Sequence, residues 1–162
     1  MKYSEATFGR VFVLRLEDGE ILHEVIERFA VDHRIRAAAV IVVGAADQGS
    51  ALVVGPAKRN QRPVNPMVRL LDDAHEIAGV GTLFPNEKGE PMLHMHAAAG
   101  RGAKTTTGCV RRGVRIWQVA EVVLFELRNV RALRKLDRNL GFELLEPGYG
   151  AKSRRKARAM ES

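Results

Sequence analysis

Two histidines separated by a single residue, His94 and His96, carry the side chains of this sequence best suited to chemistry. In an extended strand, residues i and i+2 point to the same face of a sheet. Both imidazoles would therefore project together, which suits the binding of a divalent metal. The alternative is a structural pair of histidines that hydrogen-bond to neighbouring strands. The spacing leaves both interpretations open, because a His-x-His pair lacks a third ligand.

The only cysteine of the chain, Cys109, follows thirteen residues after His96. The segment Gly100-Arg-Gly102 could reverse the chain, so that a hairpin brings Cys109 back beside the histidines. Two imidazoles and one thiolate form a known zinc-ligand set, and three protein ligands leave one coordination position open. The alternative is that Cys109 is a small buried apolar side chain, as free cysteines often are.

The composition indicates a single domain. The chain has 162 residues, of which 46% are hydrophobic, and this is enough for one buried core. No apolar run approaches the roughly 20 residues that cross a bilayer, and the first residues lack the apolar stretch of a signal peptide. One cysteine cannot form an internal disulfide, which fits a reducing compartment. We therefore expect a cytoplasmic protein with no membrane partner.

Positive charge is concentrated near the C-terminal end of a chain whose formal net charge is +7. The basic side chains of that end are Lys152, Arg154, Arg155, Lys156 and Arg158. Residues 147–162 lack apolar periodicity, so we expect a disordered basic tail after a domain formed by residues 1–146. Such a tail could contact nucleic-acid phosphates without sequence preference, or it could only keep the chain soluble.

Hydrophobic periodicity predicts many strands and one helix. Apolar residues recur at helical spacing from Leu22 to His33, and Asp18 is a candidate N-cap. The turn at 47–49 should lead from the second strand into a partner strand at 51–54. Strands are expected at 8–16, 37–46, 51–54, 67–71, 75–83, around the His-x-His pair, at 114–127 and at 141–145. One helix followed by sequence-adjacent strands indicates an α+β fold with a mostly antiparallel sheet.

In this order the segments resemble the plants-and-prokaryotes-conserved (PPC) domain, in its prokaryotic stand-alone form, over about residues 8–146. Three stretches carry the resemblance. They are Phe12-Val-Leu-Arg-Leu-Glu-Asp-Gly-Glu with its helix and Ile35-Arg-Ala-Ala-Ala-Val-Ile-Val-Val-Gly-Ala45; Glu76-Ile-Ala-Gly-Val-Gly through Gly89-Glu-Pro-Met-Leu-His-Met-His96; and Glu121-Val-Val-Leu with Arg134-Lys-Leu-Asp137.

The resemblance implies a single compact α+β domain with a curved, mostly antiparallel sheet and one main helix, assembled as a homotrimer. Prokaryotic members show His-x-His and then Gly-Gly-His-Leu, and the three histidines resemble a metal site. His94 and His96 match the first motif, and Thr107-Gly108-Cys109-Val110 stands in the place of the second, with Gly113 in register. Cys109 thus replaces the third histidine. A thiolate could preserve the site and favour softer metals, or the substitution could mark a site that no longer binds metal.

Plant members of the family bind DNA through a separate AT-hook with an Arg-Gly-Arg-Pro-like core, which inserts arginines into a narrow minor groove. The basic segment Arg154-Arg-Lys-Ala-Arg158 lacks the glycine and the proline of that core. We therefore expect only weak, non-specific DNA binding, carried by the tail.

Together these observations predict a cytoplasmic homotrimer of binding or regulatory type that holds a divalent metal, most simply zinc, through His94, His96 and Cys109. The apolar run 119–127 is richer than one small sheet face requires, which also favours assembly.

The alternative is a metal-dependent enzyme acting on a small molecule, in which the open coordination position activates water. Such an enzyme needs a general base beside the metal. The sequence offers only His75, Glu76 or Glu90 for that role.

Overall fold

The computed structural model describes residues 1–148, and residues 149–162 lie outside the described part of the chain. The described residues form, in order, β1 (Thr7–Glu17), α1 (Leu22–Asp32), β2 (Ala38–Ala46), β3 (Ala51–Pro56), β4 (Pro66–Leu70), β5 (His75–Pro85), β6 (Pro91–Arg101), β7 (Lys104–Cys109), a 3-10 turn (Val110–Arg112), β8 (Ile116–Arg128), β9 (Ala132–Asp137) and β10 (Phe142–Pro147). No helix among residues 1–148 is long and apolar enough to cross a membrane.

Within residues 1–148, eight strands form one sheet in the order β1-β8-β2-β5-β6-β7-β3-β4, and its neighbouring strands run antiparallel. Strands β9 and β10 form a separate antiparallel pair. The prediction of an α+β domain with a mostly antiparallel sheet and one helix is confirmed. The strand arrangement matters for function because β6 and β7, which carry the candidate ligands, are neighbours.

One face of the sheet packs against α1 and forms the core. The helix buries Leu22, Ile26 and Ala30, which recur every four residues on one side. Strand β6 contributes Leu93 and Met95 to the same core. His94 and His96, which alternate with these residues, must then point the other way, because side chains alternate across a strand.

The predicted helix cap is wrong. Residue Ile21, not Asp18, precedes the first helical residue, and its side chain makes no capping hydrogen bond. Before the helix begins, the chain still pairs with β8, since the backbone oxygen of Glu20 accepts a hydrogen bond from Ile116 N–H at 2.8 Å. The Asp18 carboxylate instead accepts the N–H of Gln118 at 2.7 Å, so it joins β1 to β8.

The predicted pairing of residues 51–54 with the preceding strand is also wrong. Strand β3 pairs with β4 and, at Val53, with Cys109 of β7. After the turn at residues 47–49, Ala51 N–H donates a hydrogen bond to the oxygen of Gly113. Strand β3 then lies beyond β5, β6 and β7 in the strand order, away from β2. The sequence also predicted one terminal strand at 141–145 where the structure has the β9–β10 pair.

The sheet face opposite α1 exposes many apolar side chains. We call this the outer apolar face; its members, between 41% and 80% exposed, are Val11, Val13, Ile41, Val43, Val80 and Val119. One cross-strand row on this face runs through Val13, Val123, Ile41, Val80 and His96, each in register with the next. The candidate metal ligands therefore lie at the end of an exposed apolar surface.

Candidate metal centre

Strands β6 and β7 bring the three predicted ligands together. Both imidazoles lie on the exposed face of β6, as the period of two predicts. The chain reverses between Arg101 and Lys104, which confirms the predicted hairpin. Cys109 is then the direct register partner of His96. Since directly opposed residues of antiparallel strands share a face, the thiol lies on the same side as the imidazoles.

The geometry of the three side chains fits a metal ion. One ligand atom from each of His94, His96 and Cys109 lies within 4.8 Å of the others. The two imidazole centroids are 5.1 Å apart, with ring planes at 78°. A tetrahedral zinc ion spaces such ligands by about 3.5 Å, so small rotations of the two exposed rings would close the site. Two nitrogens and one sulfur are a donor set that zinc accepts.

The thiol is the enclosed member of the cluster, at 3% exposed. The short turn after β7 folds Arg111 back, so that its Nε donates a hydrogen bond to Cys109 Sγ at 3.2 Å. The guanidinium group of Arg111 therefore lies directly beside the sulfur atom that would bind a metal. Arg111 was not among the residues singled out from the sequence, although its position two residues after Cys109 was a usable signal.

A second arginine, Arg134 of β9, is buried beside β6, with 4% of its surface exposed. Its Nη2 donates to both oxygens of Thr82, each at 3.0 Å, and its Nε donates to the oxygen of Met92 at 3.3 Å. Thr82 is the register partner of His94. The guanidinium therefore lies next to the strand segment that carries the first imidazole. Sequence analysis missed this role because Arg134 is 40 residues from His94 and follows no local pattern.

Burial, and then the neighbouring charge of Arg111, lower the pKa of Arg134, while the charge of Glu143 acts in the opposite direction. An arginine nevertheless stays protonated in a protein. The Glu143 Oε2 atom is buried without a hydrogen-bond partner among residues 1–148. Glu143 is thus the carboxylate whose charge partly balances Arg134.

The pKa of His94 is lowered, first by burial and then by the charges of Arg134 and Arg111. A lower pKa favours the neutral imidazole near neutral pH. The neutral ring is the form that donates a lone pair to a metal. Burial and the two arginines thus favour the form of His94 that can donate to a metal.

The residues considered as a general base do not belong to the cluster. His75 and Glu76 line a separate depression of about 250 Å³ with Trp117, and His75 Nδ1 lies 2.9 Å from the backbone oxygen of Asp73. Glu90 accepts a hydrogen bond from Asn86 Nδ2 at 2.8 Å in the turn before β6. The predicted nucleic-acid residues Lys152, Arg154, Arg155, Lys156 and Arg158 lie outside the described residues.

Gly108 allows β3 to approach Cys109. A Cβ atom at this position would lie 2.6 Å from the backbone oxygen of Val53, a contact that must displace one of the two strands. We predict that Gly108→Ala lowers the free energy of unfolding by about 1–3 kcal/mol, as overpacking does. Chemical denaturation measures this change.

The matched control is Gly100→Ala in β6, where the nearest atom to a new Cβ is Thr105 Oγ1 at an ordinary 3.6 Å. Equal stability of the two variants would contradict the account of β3 packing.

The fold and sequence are similar to those of known proteins. The model of the Plants and Prokaryotes Conserved (PCC) domain matches residues 3–128. A PPC protein of Pyrococcus horikoshii is 23% identical, with a TM-score of 0.78, over 90% of this chain and 97% of that one. A metal-containing protein of Archaeoglobus fulgidus is 23% identical, with a TM-score of 0.77, over 89% and 98%. A suggested DNA-binding protein of Bacteroides thetaiotaomicron is 16% identical, with a TM-score of 0.68, over 87% and 96%.

At these identities the solved structures establish the fold alone. No curated protein matches the sequence. The family match covers most of the chain and confirms the resemblance inferred from the sequence. The chain therefore belongs to the Plants and Prokaryotes Conserved domain family.

Proposed function

We propose that this protein is a metal-binding member of the family, of binding or regulatory type, which holds zinc through His94, His96 and Cys109. The observation that carries the proposal is the convergence of their three ligand atoms within 4.8 Å on one sheet face. The similar protein from Archaeoglobus fulgidus is described as metal-containing, which agrees with the proposal. A zinc ion held by three protein ligands keeps an open position and acts there as a Lewis acid.

A thiolate in place of an imidazole suits zinc. Zinc accepts both nitrogen and sulfur, whereas magnesium and calcium prefer oxygen ligands. Cys109 Sγ is enclosed and accepts a hydrogen bond from Arg111 Nε, which holds the sulfur in position beside the two imidazoles. These features support the interpretation that the substitution preserves the site.

A metal-dependent enzyme is the second candidate, and the arrangement of the site favours it less. The three general bases that the sequence offered, His75, Glu76 and Glu90, are outside the ligand cluster. Glu143 acts on the charge of Arg134, and it is not among the groups that shift the pKa of His94. Catalysis would need a general base beside the metal, whereas binding or regulation would not, so the arrangement of the site favours binding or regulation.

We predict one equivalent of zinc per chain in protein purified without chelator or metal-binding tag. His94→Ala, His96→Ala and Cys109→Ser should each lower the zinc content to less than about a tenth, because two remaining ligands bind zinc weakly. Elemental analysis of folded protein measures the content.

His33→Ala is the matched control, since His33 is an exposed histidine at the end of α1 and outside the cluster. Sub-stoichiometric zinc in the native chain, unchanged by Cys109→Ser, would exclude the proposed site.

We further propose that the protein is a homotrimer, as the family resemblance implies. The outer apolar face supports assembly, because soluble monomers rarely leave a contiguous apolar surface of several strands in water. A second copy of the chain has apolar surface of the same kind to offer. The location would be cytoplasmic, as the single cysteine suggests.

Ile41 lies near the middle of the outer apolar face, between Val123 and Val80 in the cross-strand row. We predict that Ile41→Glu shifts the protein from trimer to monomer, because an interface cannot bury an unpaired charge without a large cost. Light scattering at micromolar concentration measures the mass.

Val31→Glu on α1 is the control, since Val31 is exposed but lies on the opposite side of the sheet. A monomeric native protein would refute the trimer.

The basic tail, residues 147–162 following a domain of residues 1–146, is proposed to give weak DNA binding without sequence preference. The suggested DNA-binding function of the similar Bacteroides thetaiotaomicron protein agrees with an interaction of this kind. The five basic side chains from Lys152 to Arg158 supply the positive charge of the tail, and the sequence of the tail lacks the AT-hook core.

We predict that binding to duplex DNA falls steeply between low and physiological salt, since counterion release drives it. Deletion of residues 151–162 should remove most of the binding while leaving zinc content and mass per assembly unchanged. Fluorescence anisotropy with two unrelated duplexes measures the affinity. Tight binding of one duplex by the shortened chain at physiological salt would instead assign DNA recognition to the folded domain.

A further inference from the structure

Two guanidinium groups accompany the His-His-Cys cluster. Arg111 Nε lies 3.2 Å from Cys109 Sγ, and Arg134 is bonded to Thr82, the register partner of His94. The charges of both arginines act on His94. The cluster thus has a positive charge next to each of its two strands, Arg111 beside β7 and Arg134 beside β6.

Much of this positive charge is not balanced by nearby carboxylates. Among residues 1–148, neither arginine has a carboxylate oxygen within the 4.0 Å of an ion pair. Glu143 acts on Arg134 from a longer distance. A divalent metal paired with one thiolate would add further net positive charge. Unbalanced charges in a partly buried site are costly, and an anion brought in from solvent would relieve that cost.

Both guanidinium groups retain donors for such an anion. Among the described residues, Arg111 donates only through Nε, and Arg134 donates through Nε and Nη2. Guanidinium groups match the geometry of carboxylate and phosphate oxygens. Arg111 and the imidazoles are exposed, so a small solute can reach them.

We propose that the cluster binds a small-molecule oxyanion, a carboxylate or a phosphate group, at the open position of the metal and against the exposed Arg111, with the buried Arg134 adding positive charge from behind. This inference rests on the proposed metal-binding function and names the class of ligand that the protein recognises. It also gives a reason for two arginines beside a metal site, where further cations would otherwise oppose metal binding.

The experiment is a calorimetric titration of the zinc-loaded full chain with inorganic phosphate, and separately with succinate, at constant ionic strength. Native protein should show saturable binding of one anion per chain, and the tighter of the two probes identifies the anion class. Arg111→Gln should weaken binding about tenfold. Arg112→Gln, an exposed arginine of the same turn with no hydrogen bond to Cys109, should change the affinity less than twofold.

Zinc content is measured in every sample, because Arg111 also contacts the thiol ligand. If Arg111→Gln loses zinc, the titration is made instead on native protein from which a chelator has removed the zinc. The anion affinity of that protein should be at least tenfold lower than that of the zinc-loaded protein. A zinc-loaded protein that binds neither anion, or equal effects of the two arginine substitutions, would overturn the inference while leaving metal binding intact. A native protein without zinc would overturn the proposed function and this inference with it.

Discussion

The register between β6 and β7 is the constraint on which the candidate site depends. His96 and Cys109 are direct partners, and the pairing continues without a shift to the turn at Arg101 and Lys104. A slip of one residue would move each side chain of β7 to the opposite face and take the thiol away from the imidazoles. On its other side β7 is held by the pairing of Cys109 with Val53, for which Gly108 leaves the space. A tight hairpin and one glycine thus set the position of the proposed sulfur ligand.

The same alternation gives β6 two roles. Leu93 and Met95 are buried in the core beneath α1, so the strand is fixed by hydrophobic packing. His94 and His96 are consequently fixed on the opposite face, where they adjoin the outer apolar face. The backbone position of the site is therefore determined by the core. Only the imidazole rings, which are exposed, have to turn to accept a metal.

Local periodicity was enough to predict much of this arrangement. The alternation of Leu93 and Met95 with the two histidines predicted their common face, and Gly102 in a left-handed conformation closes the predicted hairpin. Long-range pairings were harder to predict, because which strands become neighbours depends on packing of the whole sheet. The partner of β3 and the β9–β10 pair were missed for this reason. Arg134 was missed likewise, since its contact with Thr82 joins segments 52 residues apart.

The most direct test of the account is X-ray absorption spectroscopy at the zinc edge on protein purified without chelator. The proposed site predicts one sulfur at about 2.3 Å and two imidazole nitrogens at about 2.0 Å from zinc, together with one further light-atom ligand. Cys109→Ser should remove the sulfur contribution and leave the imidazole contribution of any zinc that remains. A zinc shell composed only of nitrogen and oxygen in the native protein would contradict the assignment of Cys109 as a ligand.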